Sequence, residues 1–96
     1  MPAYILVDVE VTDSERYQRY MARTPDAIAA AGGEFVVRGG RHEVLEGKWQ
    51  PARLVVLRFA DYEKARAFYD SEKYRAARAE REGATARFNM VLVQGV

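Results

Sequence analysis

The residues best suited to chemistry in this chain of 96 residues are a lone histidine, an arginine set before two glycines, and an aspartate within an apolar strand. His42 is the only histidine, and its side chain is the one whose unperturbed pKa lies near neutrality. Beside Arg41 and Glu43 it reads either as a general base or haem ligand, or as a solvated loop residue. Arg38 precedes Gly39-Gly40, whose missing side chains let a ligand or another backbone approach closely. Its planar fork of donors suits a carboxylate or an enolate; the structural alternative is an ion pair with Asp8 or a glutamate. Asp8 faces away from Ile5, Val7 and Val9. It reads as a base in a cavity where burial raises its pKa, or as a residue at a solvent edge. Arg38, His42 and Asp8 are therefore the catalytic candidates.

A second set has the character of a ligand surface. Trp49 stands in a turn rich in Gly and Pro, as a pocket wall or as an anchor on a partner subunit, and the anchor is favoured because tryptophan is enriched at interface hot spots. Arg58 and Asn89, like Asp8 and Arg38, interrupt otherwise apolar strands, so they mark solvent edges or the polar lining of a cavity. Tyr69, Ser71 and Tyr74 sit at a break between helical stretches. They line a pocket mouth, or serve as a cap and amphipathic core. No metal site is predicted, because one histidine and scattered carboxylates show no ligand spacing. No cofactor site, Ser-His-Asp pattern or phosphate loop is read.

The elements that must position these residues follow from periodicity. Residues Ala3 to Val11 alternate as a strand. Thr12-Asp13-Ser14 offers N-caps for a helix carrying Tyr17, Tyr20, Met21, Thr24 and Ile28, with a kink or restart at Pro25 and a stop at Gly32-Gly33. Phe35 to Arg38 form a short strand, Glu43 to Glu46 a further extended piece, and Arg53 to Phe59 the next main strand. Asp61 caps a helix burying Tyr62, Ala65, Phe68 and Tyr69; Ser71 caps another that ends at Gly83. Arg87 to Val96 close the chain as a strand. The order β-α-β-β-α-β is the ferredoxin-like arrangement, an α+β fold with helices on one face of a four-stranded antiparallel sheet, and residues 1–96 make one domain.

Composition narrows the classes. A net charge of +1 with interspersed signs gives no footprint for nucleic acid or an anionic membrane. Without cysteine there is no disulfide, thiolate chemistry or cysteine zinc site. The apolar runs are far shorter than the roughly 20 residues of a membrane span, and no signal segment is read, so a cytoplasmic protein is expected.

Leu54 to Leu57 and Met90 to Val93 are apolar on both faces, which a sheet half open to water does not require. A homodimer packed through the second sheet face is the expected solution. The opening Ala3 to Asp13, the Phe35 to Gly40 segment with Glu43 to Trp49, the Arg53 to Phe59 strand and the Phe68 to Tyr74 segment resemble the domain of unknown function 1330 family, within the dimeric α+β barrel superfamily. The resemblance covers nearly the whole chain and implies dimerisation across the sheet. It implies no one chemistry, because the superfamily spans cofactor-free monooxygenases, isomerases, haem enzymes and ligand-sensing domains. Two readings stay open. One is a cofactor-free enzyme of monooxygenase or isomerase type on a small aromatic or carbonyl substrate. The other is a non-catalytic dimeric ligand-binding or accessory module.

Overall fold

A computed structural model describes residues 1–96. The elements run β1 (Ala3–Val11), α1 (Ser14–Ala30), β2 (Glu34–Arg38), β3 (Arg53–Phe59), α2 (Tyr62–Asp70), α3 (Glu72–Glu80) and β4 (Thr85–Gln94). The strands form one antiparallel sheet in the order β2-β3-β1-β4. This is the ferredoxin-like order expected from the sequence, with the second helical stretch split in two.

Alternation along β1 sorts the sheet into two faces. Ile5, Val7 and Val9 face the helices together with Val55, Leu57, Phe88, Met90 and Leu92 of the neighbouring strands. Tyr4, Leu6 and Asp8 face the other way, in register with Arg58, Val56 and Leu54 on one side and Val93, Val91 and Asn89 on the other. Strand β2 departs from simple alternation. Its register shifts between Phe35 and Val37, so Phe35 pairs with Leu57 and Arg38 with Val55. The extra residue carries Arg38 onto the helix face, where its guanidinium lies 4.3 Å from the Phe35 ring centre.

Helix α1 starts at the Asp13 cap, which accepts from the Arg16 amide at 3.1 Å. It does not restart at Pro25: one helix runs through the proline. Proline has no N–H to donate to the Met21 carbonyl, so that oxygen is free for others. The Thr24 hydroxyl donates to it at 3.2 Å and Arg38 at 3.1 Å, which is why the helix survives. At its end Gly32 takes a φ of +76° and the Gly33 amide donates to Ile28 at 2.9 Å.

Asp61 caps α2 by accepting from the Lys64 amide at 2.8 Å. Ser71 works at both ends of the break: it donates to the Phe68 carbonyl at 2.7 Å and accepts from the Tyr74 amide at 3.2 Å. Tyr62 is exposed, contrary to the buried position expected for it, because it sits on the first turn ahead of the buried stripe Ala65 and Phe68. The extended piece expected at Glu43 to Glu46 is also absent; residues 40–52 have no strand partner and run as an irregular, exposed arm.

The core is aromatic. Phe68 lies 5.1 Å from Phe59 and 4.5 Å from Tyr74, centre to centre, and Tyr20 meets Phe88 edge-on at 6.1 Å. The Tyr20 and Tyr74 hydroxyls bond at 2.7 Å and join α1 to α3 inside this layer. Burial, reinforced by Tyr74, pushes the Tyr20 pKa far above its ordinary value, so the Tyr20 phenol stays neutral. Replacing only one partner leaves a buried hydroxyl unpaired. Tyr20→Phe is thus expected to lower stability by about 1–2 kcal/mol, and Tyr20→Phe with Tyr74→Phe to recover most of that loss in urea denaturation. Equal and additive losses in the two single variants would show that the bond contributes nothing.

Candidate functional site

The three catalytic candidates do not converge. Asp8 lies on the open sheet face, where it is 6% exposed because the arm covers it, not because it sinks into the core. The Trp49 indole N–H donates to one carboxylate oxygen at 3.0 Å and Arg87 donates to the other at 3.2 Å. Arg87 also reaches Glu10 at 3.4 Å and the Gln50 carbonyl at 3.4 Å. The Trp49 bond, then those of Arg87, hold the Asp8 pKa below its ordinary value against the opposing effect of burial. Asp8 is therefore a stable carboxylate that clamps the arm.

His42 closes the same arm, its ring nitrogens facing the carbonyls of Gly40 at 3.3 Å and Pro51 at 3.0 Å. Arg38 is on the opposite face of the sheet, bonded to Met21. Trp49 is held by its own chain through Asp8, and the residue is 60% exposed. Arg58 is an exposed residue of that face paired with Glu34 at 3.3 Å. Ser71 is the helix cap described above, and Tyr74 belongs to the aromatic core.

Tyr69 lines a cleft of about 610 Å³ between α2 and β4, which Asn89 borders from a strand position whose side chain belongs to the open face of the sheet. Ala65, Arg66 and Tyr69 form the helical wall; Phe88, Met90 and Leu92 form the strand wall, with Asn89 at the rim and Ile5 at the floor. The sheet order leaves β4 at an edge, so nothing of this chain covers the outer side of the cleft. Arg81, just past the end of α3, closes one end. Its guanidinium stacks 3.7 Å from the Phe88 ring centre and 5.3 Å from that of Tyr20. Its Nε is buried without a hydrogen-bond partner, and no carboxylate lies within ion-pair distance. Arg66, by contrast, is tied to Asp70 at 2.7 Å. The Tyr69 ring lies under the Arg78 guanidinium at 4.2 Å.

Arg81, Phe88 and Arg66 were not singled out by sequence reasoning. The run of Arg75, Arg78 and Arg81 among glutamates reads as a solvated helix face. Two members of that run leave solvent in the fold: Arg78 stacks on Tyr69, and the turn after α3 lays Arg81 over Phe88.

A β-α-β-β-α-β sheet with one helical layer and a cleft between the two defines a ferredoxin-like protein with a ligand-sized recess. Solved structures agree. A protein of unknown function from Rhodopseudomonas palustris matches at a TM-score of 0.79 and 17% identity, covering 99% of this chain and 82% of that one. A dimeric ferredoxin-like protein of unknown function from Jannaschia sp. CCS1 matches at 0.67 and 15%, covering 100% and 99%. A Caulobacter crescentus CB15 protein, provisionally named an antibiotic biosynthesis monooxygenase, matches at 0.62 and 13%, covering 99% and 90%. These likenesses show the fold. No curated protein matches the sequence. The chain belongs to the DUF1330 family, a domain of unknown function, whose model matches residues 2–96. No helix is long and apolar enough to cross a membrane.

The clamp on the arm has a pH dependence of known sign. Asp8 has a lowered pKa, so its contribution is complete above the ordinary aspartate value of about 3.9 and is lost as pH falls below it. The single indole N–H resonance in the NMR spectrum, which belongs to Trp49, is expected to hold its shift down to that point and to move only in stronger acid. Asp8→Ala should release it at neutral pH and cost about 1–2 kcal/mol. An indole signal indifferent to Asp8→Ala would show that the clamp does not form.

Proposed function

We propose that the protein is a homodimeric binding protein for a small, planar organic anion held in the cleft between α2 and β4. The observation that carries this reading is Arg81, a cation at the end of an apolar, aromatic cleft with no anion of its own chain to meet. Guanidinium donors in that setting suit a carboxylate, and the Phe88 and Tyr69 rings beside an aliphatic floor suit a flat apolar body. The volume of about 610 Å³ falls in the range of small-molecule pockets.

The lining favours binding over proton-transfer catalysis. Its side chains include arginines and a phenol but neither carboxylate nor imidazole. The groups sequence analysis named as proton carriers, Asp8 and His42, are engaged with the arm. A monooxygenase- or isomerase-like reaction that moves a proton would need an acceptor from elsewhere.

Dimerisation through the open sheet face is part of the same proposal. Leu6, Val91 and Val93 are exposed there beside Leu54 and Val56, a continuous apolar surface in the middle of a sheet. Structural neighbours from Thermobifida fusca, Bacteroides fragilis and Jannaschia sp. are described as dimeric.

Calorimetric titration with benzoate, and with methyl benzoate as its uncharged counterpart, tests the cleft. Benzoate is expected to bind and the ester to fail, and Arg81→Gln should weaken benzoate about tenfold or more. Equal binding of acid and ester, or equal binding by wild type and Arg81→Gln, would overturn the reading. For the dimer, light scattering on a sizing column should give twice the chain mass of 10.9 kDa. Val91→Arg should give the single mass, because it buries a charge at the centre of the contact. A monomeric wild type would remove that part of the proposal.

A further inference from the structure

On the far side of the helical layer, two more arginines have no carboxylate. Arg38 and Arg53 both end on Met21: Arg38 donates to its carbonyl oxygen at 3.1 Å, and Arg53 to its thioether sulfur at 3.7 Å. Each guanidinium has five donors, and apart from an interaction of Arg53 with the Tyr17 phenol these bonds to Met21 use only one donor of each. The Arg53 Nε is buried with no partner. No carboxylate lies within 4.0 Å of either. Two like charges converging on one residue without a counter-ion repel each other.

The backbone makes room for this arrangement. Gly39 has a φ of +69° and donates its amide to the Leu54 carbonyl at 2.8 Å, and a Cβ at Gly39 would collide with the Arg53 guanidinium. Behind the pair lies a narrow cavity of about 30 Å³, lined on one side by Phe35, Val55 and Leu57 and on the other by Tyr17, Tyr20 and Tyr74. It is large enough for a water molecule or a methyl group.

We infer that Arg38 and Arg53 form a second binding site, for the carboxylate of a short-chain organic acid whose tail enters the tyrosine-lined cavity. The two guanidiniums supply the counter-charge and a set of unused donors, the Met21 carbonyl fixes Arg38 in place, and the cavity limits the tail to about one methyl group. The site does not depend on the reading of the α2–β4 cleft, which has different residues at its charged end.

Thermal denaturation of the full chain in sodium acetate, against sodium chloride of equal ionic strength and pH, gives the test. Acetate is expected to raise the melting temperature relative to chloride and to shift the Arg53 Nε–H resonance in NMR spectra of the wild type. Arg38→Gln and Arg53→Gln should each weaken the acetate effect about tenfold, while Arg81→Gln should leave it intact. No difference between the salts, an acetate effect that survives both substitutions, or one lost only in Arg81→Gln would overturn the inference. Arg38 is exposed and Thr24 still donates to the Met21 carbonyl in its absence, so its substitution remains informative if Arg53→Gln fails to fold, and the wild-type resonance shift needs no variant.

Discussion

Strand β1 lies between β3 and β4, and the strict alternation of its side chains divides everything else in the molecule. A sheet has two faces, and this chain has helices for one. Ile5, Val7 and Val9 draw α1, α2 and α3 onto their side by burial of apolar surface. Leu6, with Val56 and Val91 in register across the strands, is left on the other. The aromatic layer, the cleft beside β4 and the apolar face left open to solvent all follow from that division.

The open face is not uniformly apolar, and its polar part has a structural use. Asp8 interrupts the apolar row at the point where the arm of residues 40–52 returns across the sheet. An arm with no strand partner has few ways to hold a position against its own conformational entropy. The Trp49 indole, the Arg87 guanidinium and the Asp8 carboxylate supply one such hold, and His42 braces the arm against itself at Gly40 and Pro51. Residues whose types suggest catalysis are thereby spent on placing a segment at the border of the apolar face. The exposed Trp49 lies at that border, within the area a second subunit would cover.

On the helix face the electrostatics run the other way. The chain has nearly equal numbers of acidic and basic residues, yet the pairing is uneven. Arg23, Arg58, Arg66 and Arg87 each find a carboxylate, whereas Arg38, Arg53 and Arg81 find aromatic rings, a carbonyl or a sulfur. A cation against an aromatic face at a recess keeps its charge while losing much of its water, so it gains more from an added anion than an exposed lysine would. These three arginines sit at two separate recesses, which share Met90 as a common wall residue.

Sequence alone determined the seven main elements in outline, their order, the caps at Asp13, Asp61 and Ser71, and the division of β1 and β4 into an inner and an outer face, while the extended piece read at Glu43 to Glu46 does not form. These are local properties: alternation and helical spacing are set by neighbours a few residues apart, and a cap needs only its own first turn. The open apolar face was legible for the same reason. Tertiary structure decided the rest. A one-residue bulge in β2 moved Arg38 to the helix side, away from Asp8, and no pattern within Phe35 to Arg38 announces a bulge. Pro25 reads as a break until Thr24 and the distant Arg38 satisfy the carbonyl it frees. Arg81 reads as solvated until the turn after α3 lays it on Phe88. In each case the outcome rests on which remote group arrives to fill a hydrogen bond or cover a charge, and only the folded chain brings those groups together.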